Sequence, residues 1–307
     1  MNAFAGRTAI VTGAGHGLGR AYARLLAAEG ARVLVNNRLR PDDDSRGSAD
    51  RVVAEITAAG GIAAADHGDA ADPASGERMV EAALDLFGRL DILVCNAGVN
   101  EAVAFRKQDL ADFRRVVEIN LFGTVSVAQA AFRAMHAASY GRILLTTSTA
   151  GLFGDVGLPA YSASKAAVIG LMRVLALEGA RSGILANAIA PYATTRMTET
   201  MTPAALHGSF DPDRVAPVAA WLVHERQRRS GEIFIAGAGA LRIARVMESR
   251  IAVVGDSPDF IEAGVASLEQ DARFRAAATA REEFAGFVAA LGLGGPHADQ
   301  DRGGEST

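Results

Sequence analysis

Short β-branched runs alternate with longer helical patterns through most of this chain, and that alternation restricts it to a parallel sheet buried on both faces. The runs are Arg7–Val11, Arg32–Asn36, Ile62–Asp66, Asp91–Cys95, Arg142–Thr147, Leu185–Ala190 and Glu232–Ile235. Apolar spacing predicts helices over Leu18–Glu29, Ala49–Ala59, Ser75–Phe87, Gln108–Ala138, Tyr161–Arg181 and Pro212–Arg226. The expected architecture is therefore α/β, a doubly wound parallel sheet of seven strands. Right-handed crossovers set the carboxyl ends of all strands along one edge, where ligands of such sheets bind.

From about Arg250 the strand signals stop, and "SPDFIEAGVASLEQDARFRAAATAREEFAGFVAAL" reads as two or three appended helices. Residues 1–250 are expected to form the α/β domain, 251–292 a helical extension of it, and 293–307 a polar, glycine-rich, disordered tail. With 50% hydrophobic residues over 307 positions the chain can bury a core of that size. A net charge of -4 with 21% charged residues argues against a nucleic-acid or anionic-membrane surface. One cysteine excludes an intramolecular disulfide framework, and the six histidines have no metal-ligand spacing with it. No long apolar core precedes the first glycine turn, so the expectation is a soluble, metal-free, cytoplasmic protein.

Every chemical motif falls at a strand end. The first strand runs into "TGAGHGLG", where Gly13, Gly15, Gly17 and Gly19, with His16 and Leu18, suit a tight turn and close approach to a pyrophosphate at a helix N-terminus. After the second strand comes "VLVNNRLR". Asn37 can bond a ribose hydroxyl without repelling a phosphate, and Arg38 or Arg40 can pair with a 2′-phosphate; alternatively this is a solvated loop whose arginines balance "PDDDS". Asp69 can accept from an adenine amino group or cap the following helix. In "CNAGV", Asn96 can tie neighbouring strands, while Ala97 and Gly98 let the chain pass beneath a cofactor. Finally "AYSASKA" puts Tyr161 and Lys165 one helical turn apart, where a cation beside a phenol lowers the phenol pKa and suits it to acid–base work.

"TGAGHGLG", "CNAG", a serine in "TTSTAG" and "YSASK", in that order, resemble the short-chain dehydrogenase/reductase family, with its Rossmann-type fold. The resemblance implies that Tyr161 passes a proton to or from the substrate oxygen, Ser148 hydrogen-bonds that oxygen, Lys165 binds the nicotinamide ribose, and Asn120 supports a proton-relay water. It also implies cofactor contacts from Pro191 and Thr195, an NAD(H) or NADP(H) coenzyme, a ketone or secondary-alcohol substrate, and a homodimer or homotetramer.

A nearer likeness covers about Phe4–Met247 and is to the (3R)-hydroxyacyl-CoA dehydrogenase domain of peroxisomal multifunctional enzymes and its single-domain bacterial relatives. It implies an acyl-CoA or steroid-like substrate. This chain departs from that branch at Asn37, where an aspartate is usual, at Asn120, where histidine is usual, and at Cys95, where asparagine is usual. Tyr192 replaces the wider family's glycine and can face a substrate ring or pack on the cofactor or a loop. The other readings are a ketoreductase of polycyclic natural products and a non-catalytic NAD(P) sensor.

Overall fold

Strand β1 (Thr8–Val11) lies inside the sheet with neighbours on both sides, and all four of its residues are buried. The computed structural model describes residues 2–39, 47–200, 203–254, 257–271 and 273–291. After β1 the chain alternates through α1 (Gly17–Ala28), β2 (Arg32–Asn36), α2 (Gly47–Ala58), β3 (Ile62–Asp66), α3 (Ser75–Phe87) and β4 (Ile92–Cys95). It continues through α4 (Leu110–Val117), α5 (Gly123–Ala137), β5 (Gly141–Thr146), α6 (Thr149–Phe153), α7 (Pro159–Gly179), β6 (Ile184–Tyr192), α8 (Ala216–Leu222) and β7 (Ile233–Gly237).

These seven strands pair in parallel in the order β3-β2-β1-β4-β5-β6-β7, so β1 lies between β2 and β4. Side chains alternate between faces along each strand. Ala9, Val11, Val33, Val35, Ile92 and Val94 pack with Tyr22, Leu26, Val52 and Leu222 from α1, α2 and α8. Ile10, Leu34, Leu93, Cys95, Ile143 and Leu145 pack on the other face with Met79, Val127, Met135, Val168 and Met172 from α3, α5 and α7. By length and composition Pro159–Ser182 is apolar enough to cross a membrane. Here α7 is a core helix, packed on β6, α4 and α6.

The sheet has an eighth strand that the β-branched pattern did not announce. Strand β8 (Ala240–Ala244) pairs antiparallel with β7. The two residues between them, Ala238 and Gly239, have φ of 51° and 77°, as a tight two-residue hairpin requires. Its sequence, ALRIA, has one β-branched residue, and the turn rather than propensity makes the strand.

The long helix expected over Gln108–Ala138 is broken. Asp109 caps α4 by accepting from the Ala111 N–H, and a π-helical turn, Glu118–Phe122, separates α4 from α5. The helix expected over Pro212–Arg226 shrinks to a 3-10 turn and α8.

The chain divides into two compact units at Ala244 and Arg245. In the second, β9 (Glu248–Ser249) pairs antiparallel with β10 (Phe274–Arg275), so strand pairing does not stop at Arg250. Helices α9 (Pro258–Glu269) and α10 (Ala280–Ala290) contain no buried residue. Arg40 and the tail 293–307 lie outside the described residues.

Candidate active site

The winding of the sheet reverses between β1 and β4, which opens a crevice at their carboxyl ends. Two glycines let the backbones meet there. Gly13 has φ +62°, and a Cβ on it would sit 2.8 Å from Ala97 Cα. A Cβ on Gly19 would run into the Gly13 carbonyl and the Asn96 amide.

Thr12 and Asn96 then lock the two strand ends. Thr12 Oγ1 accepts from the Asn96 and Ala97 N–H groups at 3.0 and 3.1 Å, and Asn96 Nδ2 donates to the Thr12 and Gly13 carbonyls at 3.1 and 3.2 Å. Asn96 does tie the strands, as its position suggested. Asn96→Ala leaves both carbonyls without this donor and is expected to cost about 2 kcal/mol. Urea unfolding measures it, and a loss under about 0.5 kcal/mol would contradict the tie.

The crevice is a cavity of ≈ 450 Å³ lined by Gly13, His16, Gly17, Leu18, Asn37, Arg38, Asp69, Asn96, Ala97, Gly98, Ser148, Tyr161, Lys165, Pro191 and Thr195. Gly15, Gly19 and Asn120 are not on its wall. Asn120 occupies the π turn and is fully buried. Its Oδ1 accepts from the Val99 N–H at 2.8 Å while its Nδ2 donates to the Val99 carbonyl at 2.9 Å and to Ser164 Oγ at 3.1 Å. Asn120 therefore clamps the loop after β4.

Lys165, on α7, is buried, and its Nζ donates to the Thr146 carbonyl at 2.8 Å. Burial lowers its pKa to about 8. Tyr161 corrects the sequence expectation. Its pKa is raised, because burial disfavours phenolate more than the adjacent Ser148 hydroxyl favours it. The ammonium is held on Thr146, with Nζ 5.8 Å from the Tyr161 ring centroid. Cys95 lies at the end of β4 with its thiol pushed up to about 12 by burial, a protonated core side chain.

At the far end, Arg38 Nη1 donates to Asp69 Oδ2 at 3.1 Å, so the two residues read as separate contacts face each other. Asp69 Oδ1 also accepts from the Ala71 N–H at 3.0 Å, which closes a local turn and does not cap α3, since the N-cap there is Ala74 with no side-chain hydrogen bond. Asn37 Nδ2 donates to Ser48 Oγ at 2.6 Å. Tyr192 is not on the cavity wall. It is 48% exposed, and its ring stands edge-on to Phe210 at 6.4 Å, the loop-packing alternative. Arg196 also lines the cavity, and Thr12, Ser48 and Thr147 carry hydrogen bonds although the sequence reading gave none of them a role. Their only signal was a hydroxyl beside a glycine turn or a strand end.

The glycine cradle, the N-terminus of α1 and the buried ammonium together fit a dinucleotide. Residues 7–205 match the family described as short chain dehydrogenase.

The chain belongs to the short-chain dehydrogenase family.

It is 43% identical over 240 residues to the mouse peroxisomal multifunctional enzyme type 2, covering 77% of this chain and 32% of that protein, so it spans about a third of that relative's length. It is 40% identical over 240 residues to a short-chain type dehydrogenase/reductase of Mycobacterium tuberculosis, covering 77% of this chain and 84% of that one. The crystal structure of a short chain dehydrogenase from Mycobacterium avium superposes with a TM-score of 0.79 at 37% identity, over 88% of this chain and 97% of that one. As a short-chain dehydrogenase this chain is an NAD(P)-dependent oxidoreductase acting on CH–OH groups. Among the described residues no group of three His, Cys, Asp or Glu side chains is placed to hold a metal.

Proposed function

We propose that this short-chain dehydrogenase interconverts a ketone and a secondary alcohol at the Ser148–Tyr161–Lys165 wall, with a 3-hydroxyacyl thioester as its substrate class. The observation that carries the reading is the convergence of these three side chains on the cavity whose other end is the glycine cradle. When bound, the nicotinamide supplies or takes the hydride. In the reducing direction Tyr161 Oη gives its proton to the carbonyl oxygen, and Ser148 Oγ donates a hydrogen bond to the charge developing there. The raised pKa of Tyr161 keeps that proton in place across neutral pH. In the oxidising direction Tyr161 must first give up its proton, and the phenolate then takes the proton of the alcohol while Ser148 still hydrogen-bonds the same oxygen. Lys165 holds the coenzyme ribose and Asn120 fixes the loop beneath it. A sensor without catalysis would have no use for an acid poised against a second donor.

Likeness to the hydroxyacyl-CoA dehydrogenase branch supports the thioester, and Arg196, exposed on the cavity wall, offers a cation to an acidic carrier group. Tyr192 packs on Phe210 and so lends no support to a polycyclic ketone. Exposed Leu110, Phe122, Val174 and Leu177 on the α4–α5 and α7 run support assembly into a homodimer or homotetramer. The test is loss of reduced-nicotinamide absorbance with acetoacetyl-CoA, a 17-ketosteroid and simple ketones, using NADH and NADPH in turn. Tight coenzyme binding with no turnover of any would favour a sensor.

The site is proposed to accept NADP(H), because position 37 carries an amide and Arg38 lines the cavity. Arg38→Ala is expected to weaken NADPH about tenfold more than NADH, the size of one charge-assisted hydrogen bond. Equal weakening of both coenzymes, read by fluorescence titration, would reject Arg38 as the 2′-phosphate partner.

A further inference from the structure

Three consecutive residues at the end of β5 each grip a different part of α7. The Thr146 carbonyl accepts from Lys165 Nζ at 2.8 Å, and the Thr147 hydroxyl donates to the Lys165 main-chain carbonyl at 2.7 Å. Ser148 Oγ stands beside the Tyr161 phenol. Thr147 is 1% exposed, so this hydroxyl was taken from water to make that bond. Gly151 on α6 closes the arrangement, because a Cβ there would lie 2.7 Å from the Lys165 carbonyl carbon and 2.9 Å from its Cβ. The Lys165 peptide is thus fixed from the strand by one hydroxyl and from α6 by a contact that no larger residue permits.

We infer that Thr147 is a positioning residue for Lys165, and that it sets the depth of the ammonium by holding the Lys165 peptide against β5. A lysine side chain has four rotatable bonds, and without a fixed peptide its Nζ samples the cavity rather than one point on the coenzyme ribose. Serine at 147 keeps the donor. Valine keeps the shape of threonine and removes the donor, which isolates the hydrogen bond from packing. Gly151 takes part in the same seat by steric exclusion, so Gly151→Ala displaces the Lys165 peptide without removing any donor or acceptor.

The experiment compares Thr147→Val, Thr147→Ser and Gly151→Ala with the wild type in the full chain. Dissociation constants for NADH and NADPH are read from reduced-nicotinamide fluorescence, kcat and KM from whichever ketone the wild type turns over, and Tm from thermal unfolding. Thr147→Val is expected to weaken both coenzymes about tenfold and to lower kcat, with ketone KM unchanged, and Thr147→Ser to restore binding to within about twofold. Gly151→Ala is expected to reproduce the valine pattern. Wild-type coenzyme affinity in Thr147→Val, or equal losses in the valine and serine variants, would overturn the inference. If Thr147→Val does not fold, Gly151→Ala decides it, and wild-type affinity there counts against the seat. The coenzyme titrations need no substrate, so failure of every ketone would count against the proposed substrate class and leave this result readable.

Discussion

Tyr161→Phe is expected to lower turnover about a thousandfold, in the range of general acid–base catalysis, while changing coenzyme dissociation constants by less than about twofold. The change removes one oxygen from a ring that otherwise keeps its place on α7. Nothing in the anchoring of Lys165 depends on that oxygen, since its Nζ is held by Thr146 and its peptide by Thr147. What disappears is the proton that must reach the substrate oxygen, and Ser148, as a neutral hydrogen-bond donor, cannot replace it. Steady-state reduction rates and fluorescence titration check the two halves. A variant keeping more than about a tenth of wild-type kcat would rule out Tyr161 as the acid.

Lys165→Met is expected to abolish measurable coenzyme binding and yet to make the protein harder to unfold at pH 7. The wild-type ammonium is buried, and its pKa falls from 10.5 to about 8. Below about pH 8 both folded and unfolded chains carry the proton, and the folded state bears the full cost of keeping that charge from water. Between about 8 and 10.5 the folded protein has released the proton and the unfolded chain still holds it. The unfolded state then binds more protons, and this group's contribution to stability rises with pH across that window.

Methionine removes the charge and leaves the Thr146 carbonyl without its donor. The first effect is worth on the order of 3 kcal/mol and the second returns about 1 kcal/mol, so a net gain of about 2 kcal/mol is expected, a few degrees in Tm. Unfolding curves at pH 7 and pH 10 check it, the variant losing the pH-dependent rise due to Lys165. A Tm below that of the wild type at pH 7 would contradict this reading of the burial.

Most of the sheet was legible because buried parallel strands leave dense β-branched runs, as in β1, β2 and β4. Strand β8 was not, since a half-exposed edge strand of mixed composition depends on a two-residue turn that propensity does not register. The break in the long helix was also hidden, because a π turn alters hydrogen bonding without altering the apolar spacing on either side. At the site, the proximity of the motif residues could be read from the sequence. Electrostatics could not. The sequence puts Lys165 one turn from Tyr161 and suggests a lowered phenol pKa, while the fold points the ammonium at Thr146 and buries the phenol. Arg38 and Asp69, 31 positions apart, were each assigned to the coenzyme, and only their three-dimensional placement reveals that they pair. Thr147 lay next to a motif serine and drew no notice, because a main-chain partner on a distant helix has no sequence signature.

The π turn at Glu118–Phe122 carries a consequence for how this helix can change over evolutionary time. Each residue of an α-helix advances the face by about 100°, so one surplus residue leaves the stripes on α4 and α5 out of phase by roughly that angle. Val116 of α4 and Ala128, Ala131 and Met135 of α5 are all buried with the turn as it stands. Deleting one residue would heal the helix, yet it would swing either the core stripe of α5 or Asn120 itself toward the wrong neighbour. The irregularity therefore acts as a phase-locked joint: it can be lost only if one half of the helix is repatterned at the same time.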